Sequence, residues 1–277
     1  MIRLRFWGTR GSIATPGPNT VRYGGNTACV ELRGPDGELV VFDAGTGLRE
    51  LGNRLQQERL DGEPLAIHLL ISHLHWDHIQ GLPFFRPAYD PRTTFTIYGP
   101  AQNRPLRDLL GMGMDDPFFP VNLDALPAQP TIHELRDGSF SVGSLHIRTA
   151  RLRHPAPCLG FRVEAARRAI VYATDTEDAF FDGANPVVEL ASGADLLIHD
   201  AQYLDADRKP GWGHSTVEAA IDVARRAGAR SLVLYHHDPD RSDDALDEIG
   251  MLADAIVAGK GPALRVIVAR EGLELEV

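Results

Sequence analysis

The segment that most constrains this chain is Ala66–Ile71, an apolar run broken only by His68, which leads directly into Ser72-His73-Leu74-His75-Trp76-Asp77-His78. A continuous apolar run of this length reads as a strand covered on both faces, and so as part of a larger sheet. It ends where three imidazoles and a carboxylate crowd together. Metal ligands must converge to about 2.0–2.2 Å from an ion, and a strand-end loop can turn alternate side chains toward one point. Imidazole with carboxylate and without thiolate suits Zn²⁺, with Mn²⁺ or Fe²⁺ as alternatives. Isolated histidines usually have structural explanations, but four ligand-type residues this dense seldom do.

The surrounding sequence is a series of short β-type runs and a few helices. Strands are predicted at Ile2–Trp7, Ala28–Arg33 and Leu39–Phe42, with Gly34-Pro35-Asp36-Gly37 as a hairpin turn between the last two. Leu48, Leu51 and Leu55 give Thr46–Glu58 a helical face. Further strands are predicted at Phe95–Tyr98, Thr131–Leu135, Leu145–Leu152, Leu159–Glu164, Ala169–Ala173, Asp195–His199, Ser231–Tyr235, Leu264–Ala269 and Leu273–Glu276. Helices are predicted over Thr216–Ala227 and from Ser242, as N-cap, to about Ala258. Strand pairs followed by strands interleaved with helices imply an α/β fold of sheets sandwiched between helices. No repeat or linker divides the 277 residues, so a single domain over 1–277 is expected. Gly111–Pro130, rich in proline and aromatic residues and without periodicity, reads either as a lid or as a surface crossover.

Charge and cysteine content narrow the function classes. The formal net charge is −10, which disfavours broad nucleic-acid binding. Arginine greatly outnumbers lysine, which occurs only at Lys209 and Lys260. Cys29 and Cys158 form no CxxC and offer neither a disulfide framework nor a thiolate site, as suits a reducing cytosol. No run approaches the ~18 apolar residues of a membrane span, and the N-terminus lacks the apolar core of a signal peptide. The expectation is a cytoplasmic protein with no membrane partner.

His73-x-His75-x-Asp77-His78 resembles the HxHxDH signature of the metallo-β-lactamase superfamily, and the resemblance spans nearly the whole chain. It implies a four-layer αββα sandwich and a pair of divalent ions. By the same resemblance His73, His75 and His154 would bind the first ion, Asp77, His78 and His236 the second, and Asp175 would lie between them. Asp43, in Val41-Phe42-Asp43-Ala44-Gly45, would orient the ligand loop from behind. A pair of ions about 3.5–4 Å apart can hold a bridging hydroxide near neutral pH, which Asp77 would also orient. Taken singly, His154 could be a loop histidine and Asp175 a turn residue. His236 and His237 are alternatives for the last ligand, and the position after Leu234-Tyr235 selects His236. His68, His133, His146 and His199 read as structural.

Gly213-His214-Ser215-Thr216 resembles the GHST segment of the tRNase Z and phosphodiesterase branch, whose histidine acts as a proton donor beside an acidic residue. The matching acidic position is Asp200 in Leu197-Ile198-His199-Asp200-Ala201, where the branch carries glutamate. The alternative for His214 is a place in a helix cap. The glycine-rich segments Gly8-Thr9-Arg10-Gly11-Ser12 and Gly24-Gly25-Asn26-Thr27 also resemble this branch, with Arg10 available to pair with a phosphate. His154 and Asp175 lie only 21 positions apart, too few for the flexible arm of the tRNA-processing members. The expected substrate is therefore a small or cyclic nucleotide-like phosphodiester, with Phe118 or Phe119 against a base. The alternatives are a lactone or thioester hydrolase, a tRNA 3′-processing endonuclease and a non-catalytic metal-binding sensor. A β-lactamase role is least expected, since a secreted enzyme would need a signal peptide. Many relatives of this kind form homodimers, though no surface is singled out by the sequence.

Overall fold

The apolar runs become strands in two sheets of mixed direction. The computed structural model describes residues 1–59, 63–177, 185–258 and 263–277. The first sheet holds β1 (Arg3–Gly8), β2 (Cys29–Arg33), β3 (Leu39–Phe42), β4 (Leu65–Leu70), β5 (Thr93–Pro100) and β6 (Thr131–Leu135), adjacent in chain order. The second holds β7 (Gly138–Val142), β8 (Leu145–Arg151), β9 (Leu159–Ala165), β10 (Arg168–Ala173), β11 (Leu196–Asp200), β12 (Ser231–Tyr235) and β13 (Arg265–Val268), likewise in order. The last strand, β14 (Glu274–Glu276), returns to the first sheet and pairs antiparallel with β1, Leu4 opposite Leu275. In each sheet one half is antiparallel and the other parallel: β3 to β6 in the first, β10 to β13 in the second.

Three apolar layers hold these sheets and six helices together. Phe6, Val30, Phe42 and Leu70 of the first sheet meet Ile147, Phe161, Tyr172 and Val233 of the second in a central core. Outside the first sheet lie α1 (Gly47–Glu58) and α3 (Leu106–Met112), whose Leu51 and Leu110 pack over Val41 and Ile97. The single turn α2 (Trp76–Ile79) lies in the ligand loop. Outside the second sheet lie α4 (Pro186–Leu190), α5 (Val217–Ala227) and α6 (Asp243–Val257), whose Leu190, Ile221 and Leu246 cover Val171 and Leu197. Strands buried on both faces explain the runs of apolar residues: all five residues of β11 are buried. The helix ends follow their side-chain chemistry. Thr216 Oγ1 accepts from Ala219 N and Ser242 Oγ from Ala245 N, and Gly228, at φ 65°, closes α5.

Two expectations are refined. β7 was not read from the sequence, because its edge-strand residues Gly138-Ser139-Phe140-Ser141-Val142 are mostly exposed and polar. In Gly111–Pro130, Met114, Leu123 and Leu126 are core residues of the outer layer over the first sheet, so the segment is anchored at several points. No helix among the described residues is long and apolar enough to cross a membrane.

The parallel halves bring the carboxyl ends of β3, β4, β10, β11 and β12 to one edge, the position where open α/β sheets carry their sites. Tyr235, the last residue of β12, ties this edge together: its hydroxyl donates to Gly8 O at 2.7 Å and accepts from Cys29 N at 3.0 Å. Tyr235→Phe leaves both buried partners without the hydroxyl and is expected to destabilise the metal-free protein by about 1–3 kcal/mol. Urea unfolding would register this as a lower midpoint at unchanged slope.

Candidate metal centre

The site is assembled from residues that immediately follow or end these strands. Asp43 follows β3, His73 to His78 follow β4, Asp175 follows β10, Asp200 ends β11 and His236 follows β12. Asp43, Asp175 and His236 have φ of 59°, 53° and 60°. This left-handed conformation is uncommon outside glycine, is tolerated best by Asp, Asn and His, and turns the side chain sharply at the strand end.

Three groups of donor atoms result among the described residues. His73, His75 and His154 form the first; Asp77, His78, Asp175 and His236, all buried, form the second; Asp175, Asp200, His214 and His236 form a third that overlaps the second. In the second group His78 Nε2 lies 3.2 Å from His236 Nε2, 3.2 Å from Asp77 Oδ2 and 3.2 Å from Asp175 Oδ2. His236 Nε2 lies 3.1 Å from Asp77 Oδ2 and 3.3 Å from Asp175 Oδ2. Four ligands placed tetrahedrally about 2.0–2.1 Å from one ion would stand about 3.3 Å apart. The donors therefore already have the spacing of a coordination shell. In the first group, His154 Nε2 lies 3.4 Å from His75 Nδ1, and His73 Nε2 is a buried nitrogen with no hydrogen-bond partner. Asp175 faces the first and second groups, Oδ1 being 3.7 Å from His73 Nε2 while Oδ2 joins His78 and His236. The residues fit a pair of cations.

Three of these histidines are aimed by the atom behind them. His78 Nδ1 meets Asp43 Oδ2 at 2.7 Å, His236 Nδ1 meets Gln202 Oε1 at 3.1 Å and His154 Nδ1 meets Gly213 O at 3.2 Å. Donation of the rear proton to these acceptors leaves each Nε2 lone pair facing the centre. Asp43 also accepts from Ser72 N at 2.7 Å, Ser72 Oγ at 2.8 Å and Tyr172 OH at 2.7 Å. Ser12 N donates to Asp77 Oδ2 at 2.7 Å. Ser72, Tyr172 and Gln202 had carried no sequence signal of a role at this site, and Ser12 only its place in the Gly8–Ser12 segment.

The electrostatics require positive charge. Asp43, Asp77, Asp175 and Asp200 are all buried, and each of their salt-bridge partners among the described residues is a histidine. Burial alone would push the Asp175 carboxyl up, yet His236, His78 and His73 together hold it well below the usual carboxylate range. Buried anions so paired are costly unless cations or hydrogen bonds compensate them.

His214 lies beside this centre. Its Nδ1 meets Asp200 Oδ2 at 2.8 Å, and its ring stacks on His236 with centroids 5.1 Å apart. The shorter aspartate therefore does reach. Burial opposes the imidazolium, but the Asp200 carboxylate outweighs it and lifts the His214 pKa to about 9. Helix capping falls to Thr216, not to His214. Gly213, at φ 85°, is required: a Cβ there would stand 2.2 Å from His154 Nδ1.

Several sequence expectations are corrected or resolved by these contacts. Arg10 is fully buried and cannot meet a substrate phosphate. Its guanidinium instead holds the carbonyls of Gly24 at 2.9 Å and Arg241 at 2.7 Å, tying the N-terminal loop to the segment after β12. That loop does approach the centre, but through Gly11, where a Cβ would lie 2.4 Å from His236 Cε1. Phe118 is exposed, and Phe119 packs edge-on against Phe84 at 5.5 Å; neither has a ring contact with a site residue. Of the adjacent pair, His236 enters the donor group, whereas His237 Nε2 lies 2.8 Å from Ala269 O. Burial lowers the His237 pKa to about 3, so it is neutral. His68, His133, His146 and His199 lie outside the donor groups.

The chain is similar to known proteins over most of its length. Residues 39–237 match the β-lactamase superfamily domain model, which covers most of the chain. The chain is 28% identical to the ribonuclease Z of Natronomonas pharaonis, over 85% of this chain and 86% of that one. It is 25% identical to the ribonuclease Z of Haloarcula marismortui, over 100% and 97% of the two chains. Among solved structures it resembles human tRNase Z, short form, with a TM-score of 0.65, 26% identity and 99% coverage of both. With ribonucleases among the relatives, the expectation of no broad nucleic-acid binding loses its support. The chain belongs to the metallo-β-lactamase superfamily and is a metal-dependent hydrolase of its tRNase Z and phosphodiesterase-like branch.

Proposed function

We propose that this hydrolase cleaves a small or cyclic nucleotide-like phosphodiester at two divalent cations, zinc first, with manganese or iron as alternatives. His73, His75 and His154 would hold one cation and Asp77, His78 and His236 the other, with Asp175 between them. When bound, such a pair lowers the pKa of a shared water toward neutrality and neutralises charge on phosphoryl oxygens. The chain's own residues supply the rest. Asp77, fixed by Ser12 N, orients the attacking water, and Asp200 holds His214 protonated on Nδ1. His214 then delivers the proton of its other nitrogen, Nε2, to the departing alkoxide.

The observation that carries this reading is the His214–Asp200 pair stacked against the donor cluster. A thioester hydrolase could use the same cations, but its thiolate leaves without a proton, whereas an alkoxide leaving from a phosphodiester or a lactone draws on such a donor. A non-catalytic sensor would have no need of the pair.

The substrate's small size is supported by what the chain lacks. Its alignment with the Haloarcula relative runs over 328 positions against 277 residues here, so at least 51 positions of that relative, the difference, have no counterpart. The ribonuclease Z relatives favour tRNA 3′ processing as a second reading. A cytoplasmic setting accords with two free, buried cysteines.

The test is a panel of bis-p-nitrophenyl phosphate, cyclic nucleotides, a lactone and a precursor tRNA, assayed with Zn²⁺ and Mn²⁺. Turnover of the lactone alone refutes the reading, and turnover of the tRNA alone selects the second one. His214→Ala is expected to slow an alkyl phosphodiester about 10²–10⁴-fold. The loss should be much smaller for p-nitrophenolate, which departs without a proton. For the cations, elemental analysis after dialysis is expected to give about two ions per chain. His236→Ala should lower this to about one while His237→Ala leaves it unchanged, which would separate the two adjacent histidines.

A further inference from the structure

Loop 204–213, between β11 and α5, carries the only lysine among the described residues, Lys209, and an exposed tryptophan, Trp212. The loop is braced. Glu177, two residues beyond Asp175, accepts from Gly211 N at 2.8 Å and Gly213 N at 3.3 Å, and pairs with Arg208 Nη2 at 3.3 Å. At the base of the loop Tyr203 N donates to Ser215 O at 3.1 Å, and Val217 N to Tyr203 O at 2.9 Å. Its carboxylates are already engaged: Asp205 accepts from Thr216 Oγ1 at 2.6 Å, and Asp207 pairs with Arg241 Nη2 at 2.7 Å.

Lys209 is held differently. Among the described residues no carboxylate lies within 4.0 Å of its ammonium. Nζ stands instead 5.0 Å from the centre of the Trp212 ring and 5.3 Å from that of Tyr203. Two aromatic faces attract a cation without occupying its hydrogen-bond donors, which stay free for an incoming anion. The Tyr203 ring in turn lies 5.9 Å from that of His214. Contacts of 5.3 and 5.9 Å end to end bring the ammonium within about 11 Å of the proton donor. Trp212 is 62% exposed and precedes Gly213, whose carbonyl aims His154. An isolated exposed tryptophan needs no explanation. Here a braced loop offers a bare ring and an unpaired cation together, beside the donor cluster of an otherwise acidic chain.

We infer that Trp212 and Lys209 form a subsite for the part of the substrate beyond the scissile phosphate. Trp212 stacks on a planar base, which every nucleotide presents, and Lys209 pairs with a second phosphate. The substrate class is then a nucleotide bearing a further phosphate besides the diester that is cut. This rests on the phosphodiesterase reading for the bond broken, but not for the binding of the remainder.

Three p-nitrophenyl esters test it on the metal-loaded enzyme: of methyl phosphate, of thymidine 3′-phosphate, and of thymidine 3′-phosphate bearing a 5′-phosphate. The leaving group is constant, so differences in kcat/KM report the subsite. In the unaltered enzyme kcat/KM should rise along the series. Trp212→Ala should shrink the thymidine-to-methyl ratio about tenfold, and Trp212→Phe should retain most of it. Lys209→Ala should remove the gain from the 5′-phosphate and spare the gain from thymidine.

Calorimetric titration with thymidine 3′,5′-bisphosphate, against inorganic phosphate, reads the same subsite without turnover; both alanine variants should weaken the bisphosphate selectively. If no ester is cleaved but bisphosphate binding depends on both residues, the phosphodiesterase reading falls and the subsite stands. If the esters are cleaved and the variants leave every ratio and the bisphosphate affinity unchanged, or slow all three esters equally, the subsite is overturned and the phosphodiesterase reading stands. Failure of both cleavage and selective binding overturns both.

Discussion

The Asp43 carboxylate is the contact on which the centre depends. It accepts from Ser72, in the loop after β4 of the first sheet, from Tyr172 of the second and from the His78 imidazole, all within 2.8 Å. One buried group thus fixes the separation of two sheets, the course of the ligand loop and the tautomer of a metal-binding candidate. A carboxylate suits this position because, when ionised, it only accepts, and its two oxygens can satisfy four donors at once. Its charge is compensated by donors on every side, as a buried anion requires. Because the central core packs Phe42 against Tyr172, with ring centroids 4.9 Å apart, the apolar layer ends directly beneath this contact. The packing of the sheets and the aim of His78 are therefore set by the same few residues.

A second constraint is the backbone at the strand ends. Asp43, Asp175 and His236 each adopt a left-handed conformation that costs on the order of 1–3 kcal/mol. Straight continuation of β3, β10 and β12 would send alternate side chains into the apolar layers. The reversal lets a polar residue directly beyond a buried strand turn along the open edge. The cost is offset by the hydrogen bonds these residues make, and by the cations that the donor spacing fits. The donors in the buried group are held by strands and by the acceptors behind them, so their spacing is set by the fold.

What was legible in the sequence follows from the same physics. Strands buried on both faces, such as β4 and β11, advertise themselves as apolar runs, and the polar residues at their ends stand out against them. The dense cluster of His73, His75, Asp77 and His78 could therefore be read directly, while His154, Asp175, His236, Asp43 and the His214–Asp200 pair came from the resemblance to the superfamily. The edge strand β7 was not legible, since one polar pair in a short hairpin looks like a turn. Arg10 misled because guanidinium is ordinarily a surface or phosphate-binding group, and nothing local announces that distant carbonyls will cage it. Gln202 and Tyr172 gained their roles from tertiary placement alone. The His236–His237 ambiguity was local in sequence and became distinct only in three dimensions, where the two successive side chains face opposite sides.

The segment from Gly213 to His214 joins two functions that a list of residues would keep apart. The carbonyl of Gly213 fixes the rear nitrogen of His154, while the next side chain, the proposed proton donor, is held by Asp200. Glu177, just past Asp175, fastens the same segment through Gly213 N. A shift of this loop would therefore change the aim of His154 and the reach of His214 together. Neither can be tuned without the other, and glycine at 213 is what permits the closeness, since any side chain there would strike the His154 ring. The aim of His154 and the placement of His214 are for this reason set together, by one short loop between β11 and the cap of α5.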